Sequence, residues 1–197
     1  RNLLDANTSA VCIVAKSWDY QVTEALQTTL EEGELMIADS VEFLHAAGRT
    51  VMVDLEHFFD GYKANPEFAL RVLEAAATAE AEVLVLCDTN GGSLPHEVQR
   101  ITAEVTSYFE GTAVGIHTQN DSGCAVANSV AAVLGGASHV QGTVNGYGER
   151  TGNANLMTVI PDLTLKLGIA TLPDGRLDRL TAVSRHVAEL VNLPPHP

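Results

Sequence analysis

Basic residues are scarce in this chain of 197 residues: 11 Lys and Arg stand against 25 Asp and Glu, a formal net charge of −14. That shortage excludes sequence-independent nucleic-acid binding, which needs clustered cations to neutralise phosphates, and docking on anionic membranes. The acid excess serves solubility. No apolar run approaches the ~20 residues that a membrane-spanning helix requires. The opening residues, Arg1-Asn-Leu-Leu-Asp5, carry no signal-peptide pattern. Cysteine occurs only at Cys12, Cys87 and Cys124. This odd, widely spaced set excludes a disulfide framework or a cysteine zinc site. Cys12 and Cys87 lie in apolar runs, so buried, reduced thiols in a cytoplasmic protein are expected. Aromatics make up 5% and hydrophobic residues 46%, the balance of an ordinary soluble α/β domain. The length suits one domain with a sizeable core.

What is present is an alternation of short apolar runs with longer helical patterns. Ala10–Ala15, Thr50–Leu55, Glu82–Asp88, Ala113–His117 and His139–Thr143 read as strands. Helices are expected over Val22–Ala47, stopped by Gly48, from Asn65-Pro66 to about Ala79, and after Gly91-Gly92-Ser93 with Pro95 in the first turn. Others are expected from about Asp121-Ser122, over Asn153–Leu167 and over Leu177–Val191. Five βα units in succession imply a parallel sheet covered by helices. Right-handed crossovers collect the C-terminal strand ends on one edge, where ligands bind in both open doubly wound sheets and closed (β/α)8 barrels. The pattern alone does not choose between those two folds.

That edge is unusually polar. Strand one ends in Lys16, Ser17 and Asp19; strand two in Asp54, Glu56 and His57; strand three in Asp88-Thr89-Asn90; strand four in His117, Gln119, Asn120 and Asp121; strand five leads to Asn145, Glu149, Arg150 and Asn153. Ser93, Asp121 and Ser122 read as helix caps. Five polar clusters on one edge exceed what capping explains, and oxygen and imidazole groups converging there suit a divalent ion. Residues 117 and 119 face one side of their strand, as do 54 and 56. His57, His96 and His139 are expected to be structural, and His45, His186 and His196 to lie at the surface.

Three motifs carry a family resemblance: Cys87-Asp-Thr-Asn-Gly-Gly92; His117-Thr-Gln-Asn-Asp121 with Ala125-Val-Ala-Asn128; and Gly142-Thr-Val-Asn-Gly-Tyr-Gly-Glu-Arg-Thr-Gly-Asn153. From about Val11 to Gly168 the chain resembles the catalytic barrel of the 2-isopropylmalate, homocitrate and citramalate synthases. Lys16-Ser-Trp-Asp19, Asp54-Leu-Glu-His-Phe-Phe-Asp-Gly-Tyr-Lys63 and Ile160-Pro-Asp-Leu-Thr-Leu-Lys166 are most similar to the second type of citramalate synthase. The resemblance implies a soluble, oligomeric acyltransferase of branched-chain amino-acid biosynthesis. It would condense acetyl-CoA with a 2-oxo acid, pyruvate or 2-oxoisovalerate, around a divalent metal (Mg, Mn or Zn). By resemblance, His117, Gln119 and Asn153 are at metal-ligand positions and Glu56 and Glu149 are catalytic residues lining the site. Thr89 binds the oxo-acid carboxylate, with Asp88, Asn145, Gly146 and Gly148 beside the substrate.

Two departures stand out. The family pattern is His-x-His where this chain has His117-Thr-Gln119, a neutral and weaker donor. The Asp-x-x-Leu-Arg-Asp-Gly motif of the family's opening strand does not occur here. The match runs from about the family's fourth strand to its eighth. The expectation is therefore a partial TIM-type (β/α)8 barrel of about five βα units, with residues 1–168 as the C-terminal portion of the barrel. Residues 169–197 would begin the post-barrel helix and linker. A fragment of this kind is expected to lack full activity and to associate through its exposed core. The alternatives are a metal-dependent carbon–carbon lyase of the same superfamily and a non-catalytic interaction module.

Overall fold

The computed structural model describes residues 2–195; His196 lies outside the described residues. After a single helical turn, α1 (Asn2–Asp5), five strands alternate with helices: β1 (Ala10–Lys16), α2 (Leu30–Ala46), β2 (Thr50–Glu56), α3 (Phe58–Ala64), α4 (Pro66–Thr78), β3 (Val83–Asp88), α5 (Pro95–Tyr108), β4 (Ala113–Thr118), α6 (Ala125–Leu134) and β5 (His139–Gln141). α7 (Leu156–Pro161) and α8 (Leu180–Val191) complete the chain. The strands form one parallel sheet in the order β1-β2-β3-β4-β5. This is the expected partial barrel: sequential strands are neighbours and parallel, so all C-terminal ends lie on one edge.

Strand alternation divides the sheet into two faces. On one face Val53, Leu55, Leu84, Leu86 and Ile116 are fully buried and pack with Val41, Leu73 and Ile101 of the helices. The other face carries Cys12, Val14 and Lys16 on β1, Asp54 and Glu56 on β2, His117 on β4 and Gln141 on β5. Only a small cluster of Val83, Val85 and Cys87 is buried there, with Met52 and Ala113 against it. Among the described residues β1 and β5 each pair on one side only, and Val14 is 66% exposed. The sheet is curved enough that Gln141 of β5 reaches Asp54 of β2 across two intervening strands, at 2.8 Å. Gly115 lets β4 pack closely between its neighbours: a Cβ there would sit 3.0 Å from His139 and 3.1 Å from Val85.

Several elements depart from expectation. The helix expected over Val22–Ala47 is broken: a π-turn spans Gln21–Ala25, Gln27 adopts φ 54°, and Thr29 caps a new helix by accepting from Glu32 N at 3.2 Å. Threonine competes for the backbone in this way and so starts helices better than it continues them. Leu94 precedes α5 with its N–H held by Glu97 at 3.0 Å, and α6 is capped by Asn120, which accepts from Ala125 N at 3.2 Å. Ser93, Asp121 and Ser122 therefore do not supply those capping side chains. The helix expected over Asn153–Leu167 starts only at Leu156 and passes into a π-turn at Asp162. Cys12 is exposed rather than buried, because it faces the open side of β1. Partial desolvation and then Asp54, which accepts a hydrogen bond from the thiol, push Cys12 up to about 12. No helix among the described residues is long and apolar enough to cross a membrane.

Candidate active site

Strand register assembles the site. His117 of β4 lies directly opposite Gln141 of β5. The chain returns after β5 so that Gln119 and Asn153 form an antiparallel bridge. His117, Gln141 and Asn153 line one cavity of about 410 Å³ together with Met52, His139 and Leu156. Gln119 donates from Nε2 to His117 Nε2 at 3.2 Å. The three residues expected as metal ligands are thus brought together.

The glycine-rich turn seats Asn153. Gly146 O accepts the Asn153 N–H at 3.1 Å. Gly148 lies so close that a Cβ would be 2.6 Å from Asn153 Oδ1. Gly152, at φ 103°, would put a Cβ 2.1 Å from Gly146 O. Gly146 and Gly148, expected to let the backbone approach a substrate, instead let it approach Asn153.

Two buried oxygens in this group have no hydrogen-bond partner: Gln119 Oε1 and Asn153 Oδ1. Leaving a buried acceptor unsatisfied costs about 1–3 kcal/mol, and natural structures rarely do so without a reason. An ion beside the His117 lone pair is such a reason, so the residues fit a divalent cation. The set is entirely neutral. Among the described residues no three His, Cys, Asp or Glu side chains converge to hold a metal.

Other expected residues divide. Thr89 sits at the same edge; its Oγ1 accepts from His57 N at 2.8 Å, which leaves the hydroxyl proton free to donate. Glu56 faces the open side of the sheet, paired with Lys16, which lies opposite it in the register. Glu149 does not line the site. Its carboxylate is largely exposed and 3.9 Å from Arg150, which binds Asp121 through two nitrogens at 2.8 Å and Thr89 O at 2.6 Å. Asp88 is also not at the substrate position. It is buried on the helix-facing side, accepting from Ser93 N at 3.3 Å and Asn128 Nδ2 at 3.2 Å. Burial raises its pKa, and the Ser93 and Asn128 hydrogen bonds oppose that. Asn145 is turned away as well: at φ 65° it donates to Ser184 O at 2.9 Å and accepts from Ser184 Oγ at 2.5 Å, docking α8.

Residues outside the expected site set also occupy the edge. His57, assigned a structural role, has φ 54°, pairs its Nδ1 with Asp60 at 3.0 Å and lies 5.8 Å from the Trp18 ring. Asn90 donates to the same Asp60 oxygen at 2.9 Å. Gln141 was a second omission. Its signal was parity: residues 139 and 141 share the face of the strand that borders His117.

The HMGL-like family model matches residues 2–187. The chain belongs to the HMGL-like family. Among known proteins it is 55% identical to an (R)-citramalate synthase of Aquifex aeolicus over 98% of this chain and 37% of that one. It is 35% identical to a probable 2-isopropylmalate synthase of Methanopyrus kandleri over 98% of this chain and 38% of that one. The chain thus spans less than two fifths of the length of each of these two relatives. The HMG-CoA lyase structure from Bacillus subtilis superimposes with a TM-score of 0.83 at 19% identity, covering 100% of this chain and 68% of that one. At that identity the likeness concerns the fold, and it places the five βα units in the TIM-barrel architecture of this HMGL-like chain.

Proposed function

We propose that this chain carries the oxo-acid-binding part of an acyltransferase that condenses acetyl-CoA with a 2-oxo acid, with pyruvate the favoured acceptor. The observation that carries the reading is the pair of partnerless buried oxygens, Gln119 Oε1 and Asn153 Oδ1, beside His117. The greater identity to citramalate synthases than to 2-isopropylmalate synthases supports pyruvate over 2-oxoisovalerate. His117 Nε2, Gln119 Oε1 and Asn153 Oδ1 would hold a divalent ion, Mg²⁺, Mn²⁺ or Zn²⁺. When bound, such an ion supplies Lewis-acid polarisation of the keto carbonyl.

The chain's own groups do the rest. The Thr89 hydroxyl, its oxygen already accepting from His57 N, donates to the oxo-acid carboxylate. Glu56, held by Lys16 on the open face, accepts a proton from the acetyl methyl group. The resulting carbon forms its bond to the keto carbon, the keto oxygen takes up a proton, and water cleaves the thioester to release the CoA thiol. Residues 1–168 serve as the barrel portion and residues 169–197 as the post-barrel segment. Self-association through the open face completes the reading, and sedimentation measures it.

Thiol release from acetyl-CoA by the full-length protein tests the reaction. Release that depends on pyruvate and is weaker with 2-oxoisovalerate is expected; no release with either acid refutes the proposal. The metal site has its own test in this chain. Imidazole is a stronger donor than an amide oxygen, so Gln119→His tightens Zn²⁺ binding at least about tenfold, ~1.4 kcal/mol. Calorimetric titration reads this directly, and equal affinities would sink the role given to Gln119.

A further inference from the structure

A chain of hydrogen bonds crosses the open face of the sheet. Cys12 Sγ donates to Asp54 Oδ1 at 3.2 Å, and Gln141 Nε2 donates to the same oxygen at 2.8 Å. Gln141 Oε1 meets His117 Nδ1 at 2.8 Å, and His117 Nε2 meets Gln119 Nε2 at 3.2 Å. Each link constrains the next. A carboxylate only accepts, so Asp54 takes the NH₂ end of Gln141. That turns the Gln141 oxygen to His117, and an amide oxygen only accepts, so Nδ1 must carry the imidazole proton. Nε2 is then left with its lone pair and accepts a hydrogen bond from the Gln119 amide, which strands Gln119 Oε1 without a partner.

We propose that Asp54 and Gln141 are positioning residues that fix His117 in its Nδ1–H tautomer and so aim the Nε2 lone pair at the Asn153 side of the site. This tautomer is the one free imidazole disfavours in water, so the assignment is a demand made by the fold. Orienting a ring nitrogen through the hydrogen bond on its other nitrogen is how proteins tune metal-binding histidines. The consequence for metal binding rests on the function proposed above; the tautomer itself does not. When an ion takes up the lone pair, Gln119 can turn its amide over and offer Oε1, which needs a partner.

Nitrogen-15 NMR of the neutral histidines reads the tautomer without any metal or activity. The parent chain is expected to show His117 as the Nδ1–H form. Asp54→Asn frees the Gln141 amide to turn, and Gln141→Leu removes it; both shift His117 towards the Nε2–H form. Gln141→Glu restores an acceptor and returns the Nδ1–H form, which a merely structural role would not do. The two weakened variants also bind Zn²⁺ about tenfold or more less tightly than the parent. A parent chain in the Nε2–H form overturns the proposal, as does an unchanged tautomer in Asp54→Asn, the variant closest in shape. If Zn²⁺ binds neither parent nor variants while the tautomers behave as expected, the metal reading fails and the relay stands.

Discussion

Gly152→Ala is expected to cost at least about 3 kcal/mol, from a left-handed backbone that only glycine adopts freely and from a direct clash. Gly152 has φ 103°, and a Cβ there would lie 2.1 Å from Gly146 O. That contact involves backbone on both sides, so no side chain can swing aside to relieve it. Gly146 O also accepts the Asn153 N–H, and Gly152 O accepts the Asn120 N–H at 2.9 Å. Opening the turn would therefore displace Asn153 and loosen the bridge to Gln119 together. Urea denaturation should show a lower midpoint at unchanged slope, and Zn²⁺ titration of the folded variant should show weaker binding. A stability within about 1 kcal/mol of the parent would show that the turn yields elsewhere, below the usual cost of such strain.

Phe58→Ala is expected to remove about 4 kcal/mol, the usual range for deleting a buried aromatic ring. Phe58 is fully buried and packs edge-on against Phe59 at 5.7 Å and against Tyr62 at 5.6 Å. It directly follows His57, whose left-handed conformation turns the chain from β2 into α3. The ring thus holds both the helix and the turn that brings the His57 N–H to Thr89. Against a total of ~5–15 kcal/mol for a whole domain, this is a large share. Hydrogen exchange should show α3 and the His57 amide losing protection first. A loss under about 2 kcal/mol, well short of the range for ring deletion, would mean that the cluster repacks around the gap.

Much of the fold was legible because it rests on local patterns. Runs such as Val83–Cys87 are apolar throughout and buried throughout. Asn65-Pro66 opens α4 as a cap and a first-turn proline should, with Asn65 accepting from Phe68 N at 3.2 Å. The break at Gln27–Thr29 was not legible, because apolar spacing continued across it and threonine's choice between cap and interior depends on tertiary support. The site was legible where strand parity governs it, as with His117 and Gln119. It failed where a side chain's direction depends on a distant partner: Asp88 on Asn128, Asn145 on Ser184, Glu149 on the bond from Arg150 to Asp121.

The sequence by itself therefore determined the alternation of strands and helices, the collection of polar groups on one edge and the family. These follow from periodicity, register-independent alternation and contiguous motifs. Only the tertiary structure decided which of those groups face one another. Sheet curvature brings Gln141 to Asp54 across two strands, and the glycine turn presses its backbone against Asn153. Both depend on distances between residues far apart in the chain, which no local pattern encodes.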